Sequence, residues 1–505
     1  MFRKMRFILT LITLISILLV SCAYEQPAKQ DNGKITEFNK LDEGEAEITD
    51  PPEDTTEQSI SGLYAAERTG VNLYFLDEAA GQLSPETRKI SGNESETELA
   101  FYILKELTEG PETSGLSPVM PENVKVNRVE IGENILAVDL SDEFHESKEP
   151  ALARAALVNS LLDMGAFKYV KLYIDGQEAT VSSDIDSGPL GLLTRYPVEV
   201  AEITALEEQN FNNKENRKVN WELFFRDNSG EFLLSEVRSI TISEGKAAES
   251  IVNELIKGPI TEGEGYYPVF PKGTTLQKTE LIEGNSGRNG IALFFSKEFR
   301  EKFTMNPSYE QSLIGSLIYS LTSLPDIHFV KIYYDNGYGF YIDDPVHGIS
   351  LNRILTKRNY PDRMGKRIRI YFGSDQNLLV PEYRAISHDE KDVAYRILKE
   401  LATNPVTPGA VRVLPANIPA DDFKLEVKDE LAVVDVPKEY FDEIRLDNNR
   451  VIRDLYALVN SLTDPINRTG ITEVQFTVEG DVIESYMDIS LKDSFVMNPA
   501  LIKEN

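Results

Sequence analysis

A helix that stops at Gly-Pro or Asn-Pro occurs three times in this chain of 505 residues, at intervals of about 150, and this recurrence constrains the fold more than any other feature. The stops are Gly110-Pro111, Gly258-Pro259 and Asn404-Pro405. Gly and Asn tolerate the left-handed conformation that ends a helix, and the proline after them forbids continuation. The helices are expected over residues 96–109, 246–257 and 389–403. Each carries one apolar stripe: Leu99, Ile103 and Leu107; Ile251, Val252 and Leu255; Val393, Ile397, Leu398 and Leu401. Ser95 with Glu98, and Ser387 with Glu390, have the spacing of capping boxes.

The flanking segments recur as well. An aromatic strand precedes each helix (Leu73-Tyr74-Phe75, Leu223-Phe224-Phe225, Ile370-Tyr371-Phe372), followed by the pattern L-x-[PS]-E-x-R-x-I at 83–90, 233–240 and 379–386. In an extended segment, residues two apart share a face. The pairs Glu86/Arg88, Glu236/Arg238 and Glu382/Arg384 are therefore read as ion pairs that stabilise the sheet, and a carboxylate and guanidinium set for a ligand is the sharper alternative.

Downstream of the helix, each copy has two more strand-like runs: 124–131 with 135–140, 275–282 with 291–295, and 423–427 with 431–436. A second amphipathic helix ends in Asn159-Ser160-Leu161, Tyr319-Ser320-Leu321 or Asn460-Ser461-Leu462. Last strands at 169–175, 329–335 and 474–479 run into Gly-containing turns. The unit reads β-β-α-β-β-α-β, an α+β two-layer sandwich in which two helices cover one face of a small mixed sheet. The boundaries expected are 70–183, 217–345 and 366–490. Linkers at 184–216 and 346–365 end near Tyr196-Pro197 and Tyr360-Pro361, and a C-terminal tail spans 491–505. The linkers carry apolar residues, so they should pack on neighbouring domains and hold the copies in a semi-rigid row.

Ahead of the repeats, Arg3, Lys4 and Arg6 precede an apolar run from Phe7 to Val20, too short to span a membrane comfortably and suited to an export signal over residues 1–21. It closes on Leu19-Val20-Ser21-Cys22, which resembles the lipobox of bacterial lipoproteins, with Cys22 as the site of lipid attachment. Cys22 is the chain's single cysteine, so no intramolecular disulfide supports the fold. Residues 22–69 are acidic and poor in aromatics, a composition that favours a disordered tether. The formal net charge of −31 argues against nucleic acid as a partner, since phosphates call for a positive footprint.

The repeats resemble the GerM domain family of bacterial sporulation and spore-germination lipoproteins. The resemblance rests on the aromatic strand, Pro85-Glu86-Thr87-Arg88, the run 107–111, Val138-Asp139-Leu140-Ser141, the run 171–176 and Gly188-Pro189-Leu190. The second copy replaces Val-Asp-Leu-Ser with Leu293-Phe294-Phe295-Ser296, and the third with Val434-Asp435-Val436-Pro437. The resemblance implies a domain like the ring-building motifs of envelope assemblies and an exported, non-enzymatic protein. Such a protein would work with envelope or sporulation-complex proteins, with self-association among the options. Members commonly carry two copies, whereas this chain carries three.

No catalytic constellation competes with that implication. The four histidines, His145, His328, His347 and His388, have no metal-ligand spacing and occupy non-equivalent positions in the copies. No nucleophile elbow or phosphate-binding loop occurs. The expectation is a lipid-anchored scaffold of the cell envelope, facing the extracytoplasmic side, without a catalytic site, cofactor or metal. A lipoprotein that binds a small solute or wall fragment is the alternative.

Overall fold

The computed structural model describes residues 70–503 apart from 91–93, 182–187, 213–215, 262, 285–287, 302–305, 342–350, 352–353, 361, 445–447 and 487. The segment read as an export signal, Cys22 and the acidic segment lie outside the described residues. The three copies belong to one compact unit.

Each copy opens with an antiparallel hairpin: Gly70–Asp77 with Gln82–Lys89, Arg217–Arg226 with Leu233–Ile242, and Gly365–Gly373 with Leu379–Ser387. The first helices follow at Glu96–Glu109, Ala247–Lys257 and Val393–Leu401. The Ser95/Glu98 capping box forms. The one expected at Ser387 does not, because Asp392 caps the third helix nearer its start, accepting from the Tyr395 amide. Gly110 and Gly258 stop their helices at φ 89° and 87°. The third helix ends earlier, at Leu401, with Ala402 as its right-handed cap, so the Asn404 conformation is not what ends it.

A second sheet follows in every copy. Its first two strands are antiparallel, and the chain returns through the second helix to add a parallel third. In the first copy these are Val126–Ile131, Ile135–Leu140 and Tyr169–Ile174, with Ile135 facing Tyr169. The equivalent registers are Gly290 facing Phe329 and Leu431 facing Glu473. The main elements follow the order β-β-α-β-β-α-β in all three copies, with short additions such as the strand Leu116–Ser117 and the helix Lys438–Ile444.

The five strands do not make one sheet, contrary to the expectation of two helices on a single face. The second helices (Pro150–Leu162, Pro307–Leu321, Asn448–Thr463) pack along the first strand of the hairpin. The recurrent serine makes the bond: Ser160, Ser320 and Ser461 Oγ accept from the backbone amides of Tyr74, Phe224 and Tyr371 at 2.9, 3.2 and 2.9 Å. A strand amide served by a helix side chain needs no strand partner at that position.

The segments read as linkers continue the copy before them. Leu193 pairs with Val170, Leu355 with Val330 and Phe495 with Val474, the same position of the last strand each time. The Asn159 side chain then clamps the Tyr196 backbone in both directions, and Asn460 does the same to Asn498. In the middle copy Tyr319 packs edge-on against Tyr360 instead. The chain next returns to its own hairpin, where Leu83 N donates to Val198 O, Leu233 N to Arg363 O and Lys503 N to Leu379 O. Residues 495–503, read as tail, are thus the third copy's version of this return.

The copies do not form a row. Leu192 bridges the last strand of the first copy to Asn220 in the second copy's hairpin, so one sheet runs through both. The third copy touches both others. Arg367 donates to Glu133 of the first copy at 2.8 Å and to Glu264 of the second at 3.1 and 3.2 Å, while its guanidinium stacks between Tyr266 and Tyr383. Arg468 donates to the carbonyls of Gly132, Glu133 and Ala166 and sits over Phe167. Two arginines separated by 101 positions in sequence read the same corner of the first copy, which closes the arrangement.

Candidate functional site

The repeated Glu/Arg pairs sit where the second strand of the hairpin passes the end of the first helix. Glu86 and Arg88 are buried side by side, with Arg88 Nε donating to Glu86 Oε1 at 2.9 Å. Arg88 also reaches Glu106 in the last turn of the helix and the Gly110 carbonyl at 2.7 Å. Glu86 in turn accepts from the amides of Glu112 and Thr113, just past the helix stop, at 3.0 and 2.7 Å. A helix end leaves carbonyls without partners, and the amides of the turn after it are also free. The pair serves both. Burial alone would raise the Glu86 pKa, but the hydrogen bonds from Thr113, Arg88 and Glu112 outweigh it and hold the carboxyl at about 2.

The same clamp recurs at the other two sites. Arg238 bonds Glu236, Glu254 and the Gly258 carbonyl, while Glu236 takes the amides of Ile260 and Thr261. Arg384 bonds Glu382 and the Asn404 carbonyl, and Glu382 takes the amides of Val406 and Thr407. The third clamp is looser: Arg384 is 19% exposed against 7% for Arg88, and Glu400 stands 3.9 Å away. These bonds of the first two pairs all run to the chain's own backbone and carboxylates.

The Val-Asp-Leu-Ser signature has a similar role. Asp139 accepts from the Gly176 amide at 3.0 Å and Asp435 from Gly480 at 2.7 Å, holding turns in which Asp175-Gly176 and Glu479-Gly480 both have positive φ. Ser141 accepts from the Lys125 amide. In the second copy, Phe294 in place of the Asp stacks on Tyr333 at 4.7 Å, so an aromatic contact on the same face replaces the tether.

Sequence reasoning missed the polar group that straddles the first two copies. Lys171, on the last strand of the first copy, is buried with Glu178 at 3.8 Å, Glu222 of the second copy at 3.3 Å and Ser323 at 3.4 Å. Burial works to lower the Lys171 pKa, but the two carboxylates outweigh it and hold it above its usual value. Burial pushes the Glu178 carboxyl up to about 7, against the opposing pull of Lys171 and Lys357. Lys171 lies in a run singled out for its repetition, but nothing local marks it as an interface residue, because Glu222 is 51 positions away.

Among the described residues, no three His, Cys, Asp or Glu side chains converge to hold a metal ion, and no helix is long and apolar enough to cross a membrane. Fold and polar chemistry together define a repeat protein of small α+β modules whose recurrent polar residues lock helix ends, turns and strand edges. The chain belongs to the family described as Germane: Sporulation and spore germination, which matches residues 72–180, 222–337 and 369–484. It is similar to the solved tandem GerMN domains of the sporulation protein GerM from Bacillus subtilis, at 20% identity over 53% of this chain and 91% of that one, with a TM-score of 0.22. It is also similar to the first GerMN domain of that protein solved alone, at 25% identity over 25% of this chain and 97% of that one, again with a TM-score of 0.22. No curated protein matches the chain.

Proposed function

We propose that this protein is a non-enzymatic lipoprotein of the cell envelope, anchored through a lipid on Cys22 and facing the extracytoplasmic side, that acts as a scaffold in spore formation or germination. The observation that carries this reading is the direction of the polar groups that recur within the repeats. The three Glu/Arg clamps, the strand-edge serines and the turn-holding aspartates all bond the chain's own backbone. Residues committed in this way supply rigidity, which a scaffold needs, and offer no acid, base or nucleophile to a substrate. Family membership places the modules among sporulation and germination proteins. Envelope or sporulation-complex proteins are the proposed partners.

Deletion of the gene tests the reading. Spore yield or germination should fall while vegetative growth is unchanged, and the purified chain should release nothing from peptidoglycan. Normal sporulation and germination together with lost uptake of a defined solute would replace the scaffold with the solute-binding alternative. For the anchor, Cys22→Ser should shift the protein out of the detergent phase. Wild-type protein whose N-terminus carries no lipid by mass spectrometry would remove the anchor from the proposal.

A further inference from the structure

A cleft of about 240 Å³ opens between the return segment of the first copy and the hairpin of the second. Leu190, Leu192, Leu206 and Val219 supply the apolar part of a mixed lining that also holds Glu207, and Arg217 lines it too. Arg217 is nine-tenths buried, and its one hydrogen-bond partner among the described residues is the Pro189 carbonyl. Gly188 leaves room for this, since a Cβ there would stand 2.7 Å from Arg217 Nη2. No carboxylate pairs with Arg217 among the described residues. The nearby carboxylates are engaged elsewhere, Glu207 with Arg154 and Tyr196, and Asp163 with Arg195. Lys218, exposed on the adjoining position of the strand, adds a second positive charge to the lining.

The buried clamp arginines Arg88 and Arg238 each have a carboxylate against them, as a cation withdrawn from water requires. Arg217 does not. Burial accordingly lowers its pKa with no opposing charge. A guanidinium offers a planar fork that matches a carboxylate. The leucine and valine walls suit a few carbons of aliphatic body, and the cleft lies below the roughly 300–1,000 Å³ that drug-sized ligands occupy. We propose that this cleft is a binding site for a small aliphatic carboxylate, whose carboxylate pairs with Arg217 and whose carbon chain lies against Leu190, Leu192, Leu206 and Val219. Such chemistry belongs equally to a free short-chain acid and to the C-terminus of a peptide ending in an aliphatic residue. The site stands apart from the scaffold role and does not depend on it.

The test is titration of the purified full chain in detergent, by calorimetry, with 4-methylpentanoate, N-acetyl-leucine, the neutral 4-methylpentanamide and inorganic phosphate. At least one of the two carboxylates should bind saturably, and the amide and phosphate should bind at least tenfold more weakly. Tighter binding of N-acetyl-leucine assigns the site to peptide termini, and tighter binding of 4-methylpentanoate to free acids. Arg217→Gln should weaken binding at least tenfold. Because that variant loses a structural bond to Pro189, Leu206→Glu provides a second reading: it sets a negative charge at a partly exposed position of the cleft wall and should weaken binding to a similar extent. Absence of saturable binding by either carboxylate, equal binding of the amide, or unchanged affinity in Leu206→Glu would overturn the proposal.

Discussion

Replacing Arg88 with Ala removes three bonds at once: those to Glu86, to Glu106 and to the Gly110 carbonyl. Breaking a buried ion pair from one side costs about 3–5 kcal/mol, because the remaining charge is left in a poor environment. Glu86 keeps the amides of Glu112 and Thr113, which places the expected loss near the lower end, about 3 kcal/mol. For a cooperative unit the size of one copy, that loss lowers the melting temperature by about 12 °C at roughly 4 °C per kcal/mol. Scanning calorimetry of the full chain, with hydrogen exchange to locate the affected copy, reads this directly. The three clamps supply an internal control, since Arg238→Ala should match Arg88→Ala and Arg384→Ala should cost less, its guanidinium being more exposed and its link to Glu400 longer. Arg88→Lys should recover less than half the loss, because one ammonium cannot reach all three acceptors. A loss under about 1 kcal/mol for Arg88→Ala, or an equal loss at all three sites, would refute the clamp as a source of stability. The acid limb follows the same group. The depressed Glu86 pKa contributes stability that is fully present above the ordinary glutamate value and is lost as pH falls toward about 2.

Arg367→Ala should loosen the third copy against the second, while Arg468 still holds it to the first, seen as increased exchange around Glu264 and a smaller increase around Glu133 with the copies themselves intact; unchanged protection at both would place the closure elsewhere. Ser160→Ala and Ser461→Ala should each cost about 1–2 kcal/mol, from an unsatisfied strand amide, and Ser→Thr at the same sites should restore part of it in chemical denaturation. Because the Glu178 carboxyl is raised to about 7 in the folded chain, the fold holds its proton more tightly than the unfolded chain does. Stability should therefore decline as pH rises from the ordinary glutamate range to about 7, and Glu178→Gln should flatten that slope in denaturant titrations; an unaltered slope would assign it to other groups.

The sequence by itself determined the three copies, the order of their elements and the positions of two of the helix stops. Each of these rests on chemistry within a few residues: an apolar stripe of helical period, a glycine able to take positive φ at Gly110 or Gly258, a proline that ends the run. Local signals failed where two candidates competed over a short distance, as when Asp392 displaced Ser387 as the helix cap. The pairing of Glu86 with Arg88 was legible because residues two apart on a strand share a face, but their real partners, the helix end and the turn beyond it, are 20 or more positions away. The tertiary structure alone decided that the second helix bonds the first strand of the hairpin, that each return segment closes its own copy, and that Arg367 and Arg468 bring the third copy against the first. It alone left Arg217 buried without a counter-ion among the described residues. Those outcomes depend on residues about 30 to 330 positions apart, and a contact of that kind imposes no period or spacing on the chain that makes it.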